Sequence, residues 1–103
     1  MLLLPNWSYA LPQGGQVVAG TGSIGTPGGN QMNITGSGNV AIDWNSFNVA
    51  QGETVNFSGM QAVLNYVTGN TKSEIFGNIN GSGVHVFLVN PNGILFGATA
   101  SVN

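Results

Sequence analysis

The chain has no cysteine and no arginine, and it carries very little charge of either sign. Without cysteine there is no disulfide framework, no thiol nucleophile and no thiolate metal site. Lys72 is the one cation, set against Asp43, Glu53 and Glu74. Charged residues make up 4% of the chain, against roughly 25% in an average soluble domain. With a net charge of −2 and no basic cluster, nothing is offered to a phosphate backbone or an anionic bilayer, so nucleic acid is not an expected partner. Long apolar runs are missing as well. None approaches the ~18 residues of a membrane-spanning helix, and no membrane span is expected. Helical windows are equally scarce, because Gly, Pro or Asn interrupts almost every stretch of ten residues.

What is present is Gly, Asn, Ser, Thr and Gln between short β-branched and aromatic runs. Those polar residues favour turns and stacked amide ladders over helices. Strand-like runs cover residues 16–19, 31–35, 39–44, 46–49, 54–57, 62–67, 74–79, 84–89 and 94–96. Gly20-Thr-Gly22, Pro27-Gly-Gly29, Gly36-Ser-Gly38, Gln51-Gly52, Gly69-Asn70, Gly81-Ser-Gly83 and Asn90-Pro-Asn-Gly93 read as the turns between them. This pattern predicts an all-β domain. Residues 59–68 are the best helix candidate, with Met60, Val63, Leu64 and Val67 at helical spacing, but their Val, Tyr and Thr content favours a strand. Val84-His-Val-Phe-Leu-Val89 reads as apolar on both faces, which suits a parallel stack covered on both sides better than a half-solvated hairpin sheet. No strict repeat is visible, so a stacked-coil solenoid is plausible on these grounds without excluding a sandwich or barrel.

Four stretches then carry a resemblance: Leu11-Pro-Gln-Gly-Gly-Gln-Val-Val-Ala-Gly20, Trp44-Asn-Ser-Phe-Asn-Val49, Ala62-Val-Leu-Asn-Tyr-Val-Thr-Gly69 and Val86-Phe-Leu-Val-Asn-Pro-Asn-Gly-Ile94. In this order they resemble the N-terminal domain of two-partner secretion exoproteins, the filamentous-haemagglutinin family, over nearly all of residues 11–103. The N-P-N-G-I motif is intact at Asn90–Ile94. A second family motif, N-P-N-L, is absent, and Val63-Leu-Asn65-Tyr66 stands in its approximate place, as in a haemagglutinin- and adhesin-like subgroup. The resemblance implies a right-handed parallel β-helix, single-stranded and pectin-lyase-like, with N-terminal capping strands. It implies a secretion-targeting module of a large secreted or surface-exposed exoprotein, exported through the periplasm and outer membrane of a Gram-negative cell. The implied partner is a cognate outer-membrane β-barrel transporter whose periplasmic POTRA domains bind the extended chain. The domain would then nucleate folding of the passenger β-helix, and a host-cell receptor or glycan would be met through the passenger. Asn65, Asn90, Pro91, Asn92, Gly93 and Ile94 are the expected partner-contact residues. Trp44, Phe47, Val86 and Leu88 are the expected structural ones.

Residues 1–10 read as a signal-peptide remnant, with Ser8 and Ala10 at the small −3 and −1 positions and Leu11 opening the mature chain. Residues 11–103 read as a truncated N-terminal part of the secretion module, whose last coil ends on an unpaired edge. Asn90-Pro-Asn-Gly93 also explains itself as a turn. Pro91 presets φ at i+1, Asn90 caps with its side chain, and Gly93 suits i+3. Trp44 and Phe47 sit three apart, which in a strand sends them to opposite faces, one inside and one over the core.

No catalytic, cofactor or metal site is expected. His85 has no second histidine or cysteine beside which to bind a metal, and no nucleophile elbow accompanies it. Asp43, Glu53 and Glu74 lack the clustering of a carbohydrate-active pair. Gly20-Thr-Gly-Ser-Ile-Gly25 matches a nucleotide fingerprint, but Thr26-Pro-Gly-Gly-Asn30 cannot continue as the helix such a site needs. A directly adhesive or carbohydrate-binding β-helix face is the alternative reading, and a polysaccharide-active β-helix enzyme a weaker one. Asn6, Asn33, Asn56 and Asn80 open N-x-S/T triplets, which chance supplies in so Asn-rich a chain.

Overall fold

A computed structural model of the chain describes residues 11–103, and the expected signal-peptide remnant lies outside them. The described residues form strands and turns with no helix. In chain order the strands are β1 (Gln16–Ile24), β2 (Gln31–Trp44), β3 (Thr54–Val67), β4 (Ser73–Ile75), β5 (Asn78–Asn80), β6 (His85–Val89), β7 (Ile94–Phe96) and β8 (Ser101–Val102). β2 pairs in parallel with β3, β3 with both β5 and β6, β5 with β8, and β4 with β7. The chain therefore climbs as a parallel β-helix of about three turns, the stacked-coil alternative left open by composition.

Each coil has three faces. The first holds the start of β2, the start of β3, β5 and β8, and the second holds the rest of β2 and β3 with β6. The third holds β4 and β7, with Val49 bridged to Ile75. Alternation along β2 and β3 sends Met32, Ile34, Val40, Ile42 and Trp44, then Val55, Phe57, Met60, Val63 and Val67, into the interior. Each such side chain contributes roughly 1.5–3 kcal/mol by leaving water.

Gly36-Ser-Gly38 is expected to separate two strands, but it lies inside β2, at a corner where the register with β3 shifts. Gly38 and Gly59 take positive φ, 62° and 85°. There the extra residue bends the strand without ending it, as a bulge does. Gly20-Thr-Gly22 likewise lies inside β1 rather than in a turn. Residues 46–49, expected as a full strand, contribute the single bridge of Val49 and backbone bonds from Val49 N to Glu74 O (3.1 Å) and Phe76 N to Val49 O (2.7 Å). Residues 59–68 fall within β3 and the residue after it, as their β-branched content predicts.

β1 runs antiparallel to β2 and covers its outer edge. An open edge of a solenoid is a template for other chains, and this strand caps it. The expectation of cover on both sides is corrected at β6. Val86 and Leu88 are half-buried against the core, whereas Phe87 and Val89 face outward at 56% and 41% exposure. A coil has one interior, so only one face of each strand is shielded. At the other end, Ile94 and Phe96 share register with the buried Ser73 and Ile75, and Val102 with the buried Ile79, yet all three are exposed. A chain longer by one coil is expected to cover them, gaining about 3 kcal/mol or more in denaturant unfolding from this burial over residues 11–103 alone.

Candidate functional site

The Asn90–Ile94 motif forms the corner between the second and third faces. Asn90 Oδ1 accepts from the backbone N–H of Asn92 at 2.9 Å, and Gly93 N–H donates to Asn90 O at 3.0 Å. Those two bonds define a side-chain-capped turn of the kind the sequence predicts. Gly93 adds a φ of 106°, which a side chain would strain. Asn90 Nδ2 donates downward to Thr71 O (3.0 Å) and Ser73 Oγ (2.9 Å), and Asn92 Nδ2 donates to Gly69 O (2.8 Å). The motif is thus stapled to the corner of the preceding coil. Asn90 is buried, while Pro91, Asn92 and Gly93 are exposed at the corner and Ile94 is exposed at the open end of the stack, in register with the buried Ser73.

Asn65 is placed differently. It lies within β3, in register with Ile42 and Leu88, and is fully buried. Its Oδ1 accepts from Trp44 Nε1–H at 2.9 Å and its Nδ2 donates to Phe87 O at 3.1 Å. The amide satisfies the indole and ties three coils together. The expected opposition of Trp44 and Phe47 is corrected here. β2 ends at Trp44 and the chain turns a corner before Phe47, so both rings point inward, each 1% exposed. They meet edge to face with centroids 5.6 Å apart. Strand parity holds only while the strand continues. In the folded domain, then, the structure brings Asn90–Ile94 together at one corner and leaves Asn65 inside.

The remaining chemistry-bearing residues are dispersed. His85 is exposed at the start of β6, and Asp43 is half-buried on β2 opposite Tyr66. Glu53 is buried and accepts from Ala50 N–H at 2.8 Å, closing the turn at Gly52. Glu74 is exposed on β4. Among the described residues no group of three His, Asp or Glu side chains could hold a metal. The glycine-rich match at residues 20–25 lies largely in β1 and leads to β2, not to a helix.

Two features escaped the sequence reading. On the outer face, Ala19, Ala41, Leu64 and Phe87 stand in lateral register and line a shallow apolar groove of about 260 Å³. On the first face, Asn33, Asn56, Asn80 and Asn103 form a ladder. Asn56 Nδ2 donates to Asn33 Oδ1 (2.9 Å), Asn80 Nδ2 to Asn56 Oδ1 (3.0 Å) and Asn103 Nδ2 to Asn80 Oδ1 (3.2 Å). The steps are 23, 24 and 23 residues, which is the coil length. That recurrence is present in the sequence, but conspicuous only once the coil length is known. Three of the four N-x-S/T asparagines are rungs of this ladder.

A short-coiled parallel solenoid, capped at one end by an antiparallel strand and tied at a corner by an asparagine turn, places the chain among the parallel β-helix proteins. Residues 8–103 match the model of the TPS secretion domain, and the chain belongs to that family. It is 38% identical over 97 residues to a heme/hemopexin-binding protein of Haemophilus influenzae strain Rd, a match covering 90% of this chain and 10% of that one. A second Haemophilus influenzae heme/hemopexin-binding protein is 34% identical over 96 residues, covering 89% of this chain and 10% of the relative. The crystal structure of the HMW1 secretion domain from Haemophilus influenzae superposes with a TM-score of 0.82 at 38% identity, over 89% of this chain and 25% of that one. The chain thus spans about a tenth of the length of the curated relatives it matches and a quarter of the solved secretion domain.

Proposed function

We propose that this domain addresses a large exoprotein to a cognate outer-membrane β-barrel transporter, is bound in extended form by the transporter's periplasmic POTRA domains, and nucleates the passenger β-helix at the cell surface. The observation that carries this reading is the family match over residues 8–103. The physics of the coils supports it. Hydrogen bonds at the ladder and corners reach residues 17–24 positions away on the neighbouring coil. A single coil cannot bury its own apolar stripe, so little is gained until a neighbour arrives. With no strong local helix, an unstacked coil has little structure of its own to compete with binding in extended form. Once β1 and β2 have closed the first edge, each coil is a platform for the next.

The extended state also reconciles the expected contact residues with their positions. Asn65 is inaccessible after folding, so any contact it makes with the transporter precedes folding. Pro91, Asn92 and Gly93 are open in both states, and Ile94 is open until a further coil covers it. Two measurements test the reading. Deleting the transporter should strand the exoprotein in the periplasm, and undiminished surface display would end the proposal. Replacing Asn90→Ala together with Asn92→Ala should weaken binding of the urea-unfolded chain to isolated periplasmic transporter domains by about tenfold, the worth of one or two hydrogen bonds. Unchanged binding beside lowered folded stability would leave the turn a structural part only.

A further inference from the structure

The asparagine ladder has a direction. At each step the later coil donates and the earlier coil accepts, so every completed coil leaves one side-chain carbonyl, Asn103 Oδ1 at the last step, unused by the coils already in place. We propose that this ladder is a one-way register key, each coil being admitted by an amide that donates to the waiting acceptor of the coil before it. This rests on the nucleation part of the proposed function and supplies its specificity.

The apolar interior of the first face cannot supply it. On the first face the inward residues are Met32 and Ile34, then Val55 and Phe57, then Ile79. A slip of one residue would turn these outward and is forbidden by burial. On this face a slip of two would bury equally apolar side chains, so here burial does not choose the register, although the buried Trp44–Asn65 bond and the Asn90 corner oppose such a slip on the other faces. The outward row decides between those alternatives. Around the rungs stand Gln31, Thr35, Thr54, Ser58 and Asn78. In the native register each rung meets a rung, and the bonds between them are 2.9–3.2 Å long. At the step from β2 to β3, a two-residue slip sets Asn56 against Gln31 or Thr35 and ends the run of asparagines there.

Direction makes a sharp test, because one chemical change has opposite consequences at different rungs. An Asn→Asp change deletes the donor and keeps the acceptor. At Asn33, the first rung, Nδ2 serves no rung, and a carboxylate accepts more strongly than an amide. At Asn56 and Asn80 the same change removes the donor and sets a carboxylate against the carbonyl of the preceding rung. Hydrogen exchange of the β2, β3 and β5 amides is read in the secreted full-length exoprotein. Asn56→Asp and Asn80→Asp should each lose about tenfold in protection, and the milder Asn56→Ala about threefold. Asn33→Ala should lose protection while Asn33→Asp keeps it. Equal damage from Asn→Asp at all three rungs, or no change at any, would overturn the one-way key. The transporter deletion is read in parallel. Surface display without a transporter refutes the export reading and leaves the ladder result standing, whereas a flat exchange pattern refutes the ladder alone.

Discussion

Trp44→Ala is expected to be the most damaging single change outside the glycines. It removes a ring that is 1% exposed, leaves a cavity beside Phe47 and orphans the Oδ1 of Asn65. Loss of a buried Trp or Phe side chain costs about 3–5 kcal/mol, and the stranded acceptor adds about 1–3 kcal/mol. Total domain stability is itself on the order of 5–15 kcal/mol. In a chain long enough to close its last coil, denaturant midpoints should fall steeply. The slope with denaturant should stay constant if the surface exposed on unfolding is unchanged. A loss below about 1 kcal/mol would mean that the corner after β2 repacks around the gap.

The second large effect concerns Asn65, where the contact expected from the family resemblance and the role seen in the fold make different demands. Asn65→Leu keeps the branching of the side chain but leaves the Trp44 indole N–H and the Phe87 carbonyl without its amide. Stability should drop by about 2–4 kcal/mol. Adding Trp44→Phe to Asn65→Leu removes the stranded donor and should recover about 1 kcal/mol relative to the sum of the single changes. Strict additivity would mean that the indole bond contributes nothing. Binding of the unfolded variants to the transporter's periplasmic domains gives the independent reading. Weaker binding by Asn65→Leu and not by Trp44→Phe assigns the asparagine a role before folding as well as after it.

Several parts of this protein were legible in the residues alone. Scarce charge, absent cysteine and turn residues at close spacing led to an all-β chain, and the ordered stretches ending in Asn90–Ile94 led to the family. The turn at Asn90–Gly93 was readable because its bonds are local, spanning two or three residues. The strand at residues 59–68 was readable because β-branched residues outweighed a chance helical spacing.

What the sequence could not decide were matters that depend on where a strand turns and on partners about 20 or more positions away. Whether Gly36-Ser-Gly38 ends a strand or bends it depends on the neighbouring β3, which continues the ladder past the corner. Whether Trp44 and Phe47 share a core depends on the turn between them, since parity stops where the strand stops. Whether Asn65 faces a partner or the interior depends on an indole 21 residues earlier. The asparagines at 33, 56, 80 and 103 are unremarkable among many others until coils of 23 and 24 residues lay them one on another. Composition and local turn chemistry determined that this chain would be all-β, with turns between its strands. Only the stacking itself decided which polar side chains point outward and which are sealed in the core, because the burial of each is set by the coils above and below it.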